Sequence, residues 1–346
     1  MDNEITGLYV GTMNLVSASL TGDGMVRQKR LRHAFLKIQI NPSMTRVLKD
    51  ESLQYAEVGR ELYALGDSAS RMAFVTGRSI SRSIKCGAID PREGKAEEIF
   101  TRLVGVLLGK ARTKGAVCLY SLPAGTPETE YRIIYHKNMM QEVLTRLGYR
   151  PEAMNEGLAL VCSSLAHRDF TGIGISCGGG SLNVCVAHKA RALEAFVVDR
   201  GGDWIDESAA KVLGIHPTKV TVAKEKGIDL QAPANQTEKA IIVYYRELSR
   251  YAIDVLKAKL ESSKELALFQ EPVDIVFSGA VALPAGFVQI FKRELTKVAL
   301  PLKVGQIFLA NNPEYAIARG CLIEAMSTSA HAEAHRTEAG GTDGKA

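Results

Sequence analysis

The stretch GISCGGGSLNVCV, from Gly174 to Val186, joins two apolar runs through Gly178, Gly179, Gly180 and Ser181. A turn without Cβ atoms lets backbone N–H groups approach an anion closely, so this pattern fits a phosphate-binding hairpin. Near the N-terminus, ITGLYVGTMNLVSASL repeats the plan, with Gly11, Thr12, Met13 and Asn14 at the turn. Two such hairpins facing each other would clasp the β- and γ-phosphates of a nucleotide, with Thr12 and Ser181 adding hydroxyls. Further glycine turns occur in GGD (201–203) and SGAVALPAG (278–286), which bring Gly202, Asp203, Gly279 and Ala280 into the set. A single glycine turn is equally well explained as a tight β-turn; four are harder to dismiss. Metal-assisted phosphate chemistry also wants carboxylates beside the phosphates. No acid lies between Gly174 and Val186.

The elements that must carry these turns alternate along the chain. Short runs such as HAFLKIQI and ELYALG predict strands within 33–66. DPREGKAEEIFTRLVGVLLGKA predicts a helix over 90–111, capped by Asp90-Pro91, with Ile99, Leu103, Val106 and Leu107 as its apolar stripe. GAVCLYSLPAG (115–125) reads as a buried strand. Helices follow over 128–147 and about 156–165, then the hairpin over 172–188. A strand, a Gly-Gly turn and a helix starting near Asp203 come next, with further helices over 218–227 and 236–264. VDIVFSGAVALPAGFVQIFKREL (273–295) is strand, turn and helix, and PEYAIARGCLIEAM (313–326) is the last expected element. The small, polar remainder (327–346) reads as a disordered tail. His331 and His335 have i,i+4 spacing there, but no further ligands lie near them. One hairpin in each half predicts an internally duplicated α/β chain of two lobes, 1–165 and 166–326, with inserted subdomains at about 20–84 and 207–272.

Composition narrows the classes. With 346 residues, 46% apolar and 23% charged, the chain is an ordinary soluble protein large enough for two lobes. No apolar run spans a membrane, and MDNEITGLYVG has no signal pattern, so a cytoplasmic location is expected. The six cysteines form no CxxC pair and sit mostly in apolar runs, which predicts reduced, buried thiols. The net charge of +5 draws on MVRQKRLRH (25–33) and KARTK (110–114). Without interleaved aromatics these read as solvated surface, not as a nucleic-acid face.

The order of these motifs resembles bacterial actin-like proteins of the MreB and ParM type, within the actin, Hsp70 and sugar-kinase superfamily. GLYVGTMN resembles the first phosphate motif, GISCGGGSLNV the second and VFSGAVALPAG the adenosine motif. ELYALGDSA, SIKCGAIDPREGKAEEIF, LYSLPAGTPETEYR and NPEYAIARGCLI also fit, so the similarity covers residues 5 to 326. The resemblance implies an actin-like, ribonuclease H-like duplicated fold with a nucleotide cleft between two lobes. It implies ATP or ADP as ligand, Mg²⁺ as its ion, and Glu156 as the group that orients the attacking water. It places Lys224 and Glu225 at the ribose.

Departures from the pattern bear on the chemistry. Tyr9 and Ser176 stand where these families carry the two aspartates that arrange water around Mg²⁺. Asn183 replaces another acid, and Gly279 is followed by Ala280 instead of glycine. Period-2 alternation puts Tyr9 on one face with Gly7 and Gly11, which points it into the cleft. Some residues have bland alternatives. Glu156 is also a first-turn helix carboxylate, Lys224 and Glu225 are also a charged helix face, and Asp203 and Asp206 are also a cap and first-turn acid.

The resemblance implies a cytoskeletal protein that assembles head to tail into filaments, with weakened ATP and Mg²⁺ binding and slow or absent hydrolysis. The alternative is a non-polymerising actin-fold scaffold or adaptor for a partner complex. A chaperone fragment or a small-molecule kinase fits less well, since no substrate domain or substrate loop stands out. MDNEIT is too short and polar for an amphipathic anchor, so direct membrane binding is not expected.

Overall fold

The computed structural model describes residues 5–21, 24–38, 53–85, 88–90, 95–126 and 128–340. Two five-stranded sheets carry the same topology. In the first, β1 (Ile5–Val10) and β2 (Asn14–Leu20) form an antiparallel hairpin, and β3 (Val26–Arg32) pairs outside β2. Strands β9 (Ala116–Leu122) and β10 (Tyr149–Asn155) add in parallel beyond β1, giving the order β10-β9-β1-β2-β3. In the second, β11 (Gly172–Cys177), β12 (Leu182–His188) and β13 (Arg191–Val198) repeat the antiparallel part. There β14 (Val273–Ser278) and β15 (Val304–Leu309) repeat the parallel part, in the order β13-β12-β11-β14-β15. The duplication read from two hairpins therefore extends to whole sheets. Gly7-Leu8-Tyr9-Val10-Gly11 and Gly174-Ile175-Ser176-Cys177-Gly178 occupy equivalent places.

A small sheet interrupts the first lobe: β4 (Phe35–Ile38), β5 (Tyr55–Val58) and β6 (Glu61–Leu65), in the order β4-β6-β5. Helix α1 (Asp67–Thr76) covers it and buries its own cluster around Leu36, Leu62, Ala69 and Met72. A short ladder, β7 (Ile84–Lys85) with β8 (Ala88–Ile89), leads back to α2 (Ala96–Leu108) and α3 (Glu130–Arg146). Helix α4 (Glu156–Ser164) follows β10 directly, and the Asn155 side chain caps it by accepting from Leu158 N at 3.0 Å. The second lobe carries α5 (Gly202–Leu213), α6 (Pro217–Glu225) and α7 (Gln236–Ser262) between β13 and β14, then α8 (Phe287–Leu295) and α9 (Pro313–Gly340).

Helices α4 and α9 exchange partners. The first ends lobe I but lies on β11 and β12; the second ends lobe II but lies on β1 and β2. They cross against each other so closely that a Cβ on Gly320 would sit 1.7 Å from the Ala159 carbonyl oxygen. A Cβ on Gly7 would lie 2.1 Å from Ala318 O, and one on Gly174 would lie 2.3 Å from Gly157 O. Gly7 and Gly174 are thus helix–sheet contact points, and the shared cluster that includes Val117, Leu160, Cys185 and Leu322 bolts the lobes together.

Some local expectations are corrected. Helix α2 starts at Ala96, behind Lys95 in left-handed geometry, and not at Asp90. Its buried stripe is Ile99, Phe100, Leu103, Val104 and Leu107, while Val106 is exposed. The chain beyond Met326 is helical through Gly340, not disordered. The segment is rich in alanine and other helix formers, and it propagates a helix whose first turns are already packed. The expectation for 341–346 lies outside the described residues, as does the Pro91 cap. Strands β10 and β15 carry no clear strand pattern and were not anticipated. The five described cysteines are buried, as expected; Cys86 lies outside the described residues.

Candidate functional site

The first hairpin turn is held from β3. Gly11 N donates to Asn14 O at 3.0 Å, and His33 N donates to Met13 O at 2.9 Å. The His33 ring, fully buried, sits with Nδ1 3.0 Å from Gly11 O and Nε2 3.1 Å from Ser83 Oγ. A carbonyl only accepts, so Nδ1 carries the proton and Nε2 accepts from the serine. Burial holds His33 down to about 4, so it stays neutral. Among the described residues, the Thr12 and Met13 amides meet no carbonyl in this turn.

The second turn is held from α5. Gly178 N donates to Ser181 O at 3.0 Å. Gly202 N and Asp203 N, in the first turn of α5, donate to Gly178 O at 3.1 Å and Gly179 O at 2.7 Å. The GGD amides, read from the sequence as part of a further phosphate-binding turn, are therefore bonded to the hairpin. Gly201 permits this approach, since a Cβ there would lie 2.5 Å from Gly179 O.

Between the turns lies a neutral, hydrogen-bonded floor. Ser176 Oγ donates to Glu156 Oε1, and Asn183 Nδ2 donates to Glu156 Oε2 at 3.2 Å. Asn183 Oδ1 in turn accepts from Ala124 N at 3.1 Å. Two neutral side chains thus bind the Glu156 carboxyl group, one on each oxygen. Glu156 is 4% exposed, and burial lifts its carboxyl to about 7 against the opposing hydrogen bond from Ser176. Tyr9 does reach this floor, as alternation predicts. Its ring covers Gly11, where an added Cβ would be 2.6 Å from the phenol. Burial and then the Glu156 charge push the Tyr9 phenol well above its usual range. Beside it only about 30 Å³ remains open, bounded by Tyr9, Thr12, Gly178, Gly179, Gly279 and Ala280 among others.

The larger opening is a cavity of about 770 Å³ between the lobes. Of the expected residues, Met13, Asn14, Gly179, Gly202, Asp203, Lys224, Glu225 and Ala280 line it. Gly11, Gly180, Ser181 and Glu156 line neither cavity. One end is apolar, with Ile228, Val281, Leu283 and Pro284 over the buried Tyr245. Lys224 turns inward, 2.7 Å from Asp206 Oδ1 and donating to Gly202 O at 3.0 Å. Burial raises the Asp206 carboxyl despite the Lys224 charge. Asp206 is thus a buried ion-pair partner, and Asp203 makes no side-chain cap bond; Gly201 is the cap.

Sequence reading missed the opposite wall. Arg30 and Arg32, read as solvated surface, face the cavity from β3. Arg32 meets Glu225 at 3.1 Å, Arg30 meets Glu314 at 2.8 Å, and Arg82 meets Asp203 at 3.4 Å. The signal was present: i,i+2 spacing in a strand puts Arg30 and Arg32 on one face.

The residues fit the two ends of a magnesium nucleotide unequally. The apolar end has room for a base. Among the described residues, the phosphate end has Tyr9 beside the first turn, its carboxylates Glu156 and Asp203 already bonded to Ser176, Asn183 and Arg82, and the lining cations Arg30, Arg32 and Lys224 paired with acids. Among the described residues, no group of three or more His, Cys, Asp or Glu side chains could hold a metal. The donor set does not suit hydrated Mg²⁺. No helix among the described residues is long and apolar enough to cross a membrane.

The same architecture occurs in solved structures. The MamK double helical filament matches with a TM-score of 0.70 at 15% identity, over 93% of this chain and 98% of that one. MreB5 of Spiroplasma citri bound to AMPPNP matches with a TM-score of 0.71 at 14% identity, over 97% and 99%. The ethanolamine utilization protein EutJ from Carboxydothermus hydrogenoformans matches with a TM-score of 0.56 at 14% identity, over 92% and 89%. At such identities these likenesses establish the actin-like fold. No curated protein matches by sequence. The Volactin family model matches residues 5–325, nearly the whole ordered chain, and the chain belongs to the Volactin family.

Proposed function

We propose that this chain is an actin-like cytoskeletal protein that assembles head to tail into filaments, with a cleft that has lost magnesium-dependent ATP turnover. The fold shared with the MamK filament supports assembly. A head-to-tail contact is heterologous and builds an open filament. The observation that carries the altered cleft is the capping of both Glu156 oxygens by Ser176 and Asn183. A base that orients water must have a free oxygen within reach of that water. Here each oxygen already accepts one hydrogen bond, and the carboxyl is only 4% exposed, which leaves little access for a water. MreB5 of Spiroplasma citri is bound to AMPPNP in one structure and ADP in another. In this chain the base and ribose end of the cavity would hold such a ligand, through the apolar wall and the Lys224–Glu225 segment, with ATP or ADP bound weakly and hydrolysed slowly or not at all.

Sedimentation with negative-stain imaging, with and without Mg²⁺ and ATP, tests this reading. Filaments of similar yield in both conditions are expected. Pelletable filaments only with Mg²⁺ and ATP would overturn the altered cleft. No filaments in any condition would overturn assembly and leave the scaffold or adaptor reading, with a partner protein in place of self-association.

A further inference from the structure

The crossing of α4 and α9 fixes the lobes at the base of the cleft, but the rim above the cavity has a separate closure. Three ion pairs cross it: Arg32–Glu225 at 3.1 Å, Arg30–Glu314 at 2.8 Å and Arg82–Asp203 at 3.4 Å. Each joins an arginine of the first lobe to an acid from the second half of the chain. Glu314 opens α9, whose start is tied to the end of β14 by Ser278 Oγ donating to Pro313 O at 2.6 Å before the helix crosses onto β1 and β2. The acids belong to three different helices: the first turns of α5 and α9, and the end of α6. Asp203 and Glu314 suit helix N-termini, whereas Glu225 ends α6 and opposes that helix's dipole. Its position is accounted for by Arg32, not by its own helix. The third cation that lines the cavity, Lys224, is spent on Asp206 within the second lobe.

We propose that these three pairs form a rim latch that holds the lobes closed without nucleotide, so that ionic strength sets the cleft width. A bound nucleotide bridging both lobes would do this work elsewhere; here protein charges bridge them directly. Each partly exposed pair shifts an open–closed equilibrium by roughly two- to five-fold. Three in parallel shift it by roughly ten- to hundred-fold if they act independently. Charges at this exposure are screened once the Debye length falls to about 3 Å, near 1 M salt.

Spin labels at Arg71→Cys on α1 and Lys219→Cys on α6, both exposed positions and in opposite lobes, read the separation of the lobes. A Cys86→Ser background limits labelling to the introduced pair, and dilution into unlabelled protein removes distances between subunits. The nucleotide-free protein at about 0.05 M salt is expected to give one short distance, which moves to a longer one near 1 M. The triple variant Glu225→Gln, Glu314→Gln, Asp203→Asn is expected to give the long distance already at low salt. Arg32→Glu should open the rim, and adding Glu225→Arg should close it again. A long distance in the nucleotide-free wild type at low salt would overturn the latch. So would a short distance that neither salt nor the triple variant changes. The salt series uses the labelled chain with all three rim pairs intact, so it stands even where a rim variant fails to fold. The readout is cleft width and not assembly; a chain that forms no filaments but shows this salt response would sink the filament reading alone.

Discussion

The two hairpins share one backbone plan and differ in almost everything that would do chemistry. Tyr9 and Ser176 occupy the same place in their sheets, as do Gly7 and Gly174. The first turn is pinned by the His33 imidazole just past β3, the second by the amide end of α5. The first places a phenol over its own glycine; the second places a hydroxyl on the buried Glu156. Backbone geometry has thus been retained on both sides of the cleft while the side chains that would handle a metal differ. Helix packing accounts for the shared strand geometry, because Gly7 and Gly174 within the strands seat α9 and α4. Constraint from packing and constraint from chemistry are separable here.

The largest expected effect tests the shared part. Gly7→Ala and Gly174→Ala each drive a Cβ into backbone, with no flexible side chain to yield. Each should cost about 4 kcal/mol or prevent folding, read by urea denaturation. Equal losses would confirm that the positions are equivalent; a tolerated alanine at one would break the pairing.

The next effect belongs to one hairpin only. His33→Ala leaves Gly11 O and Ser83 Oγ buried without their partner, a loss of about 3 kcal/mol. Nothing equivalent exists at the second turn, where the anchor is main chain. The same histidine has a pH signature. Its folded value of about 4 lies below the usual 6.5, so the unfolded chain binds the extra proton. Stability from this group is therefore full above about 6.5 and is lost as pH falls toward about 4.

Glu156 has the opposite sign. Its folded value of about 7 lies above 4.5, so the native state holds the proton longer than the unfolded chain. Its contribution declines as pH rises from 4.5 to about 7. Glu156→Gln should leave stability near pH 4.5 almost unchanged and raise it by roughly 2 kcal/mol near pH 8, relative to wild type. The amide can donate to Ser176 and accept from Asn183, so the floor stays bonded. Parallel stability–pH curves for the two proteins would show that Glu156 is not the buried, neutral group described.

How far the sequence carried these points varies with the physics involved. Glycine turns and apolar strands are local signals, so both hairpins, the duplicated lobes and the cleft position of Tyr9 were legible. Strand β10, with the residues YRPEAMN, has Pro151 and Glu152 in it and is a strand because β9 pairs with it. That is a tertiary effect with little local trace. The partners of Glu156 were individually noticed as substitutions, but their convergence on one carboxylate depends on β11, β12 and α4 meeting. Arg30 and Arg32 read as solvent-facing charge because the acids opposite them, Glu314 and Glu225, lie far away in the chain, and Arg82 carries no local signal at all. His33 lay unremarked within the same basic run.

The smallest effect concerns that rim. Arg30→Gln, Arg32→Gln or Arg82→Gln should each change global stability by only about 0.2–1 kcal/mol, since the pairs are partly exposed. A larger loss would mean that the rim carries the fold together with the base, and the distinction between a fused base and an adjustable rim would fail.

The central claim is that the cleft has kept its architecture and lost its metal-dependent chemistry. Phosphate release from ATP, measured on polymerising wild-type protein with and without Mg²⁺ beside Glu156→Ala, tests it most directly. The predicted result is a background rate that neither Mg²⁺ nor the substitution changes. A Mg²⁺-dependent rate that Glu156→Ala abolishes would contradict it.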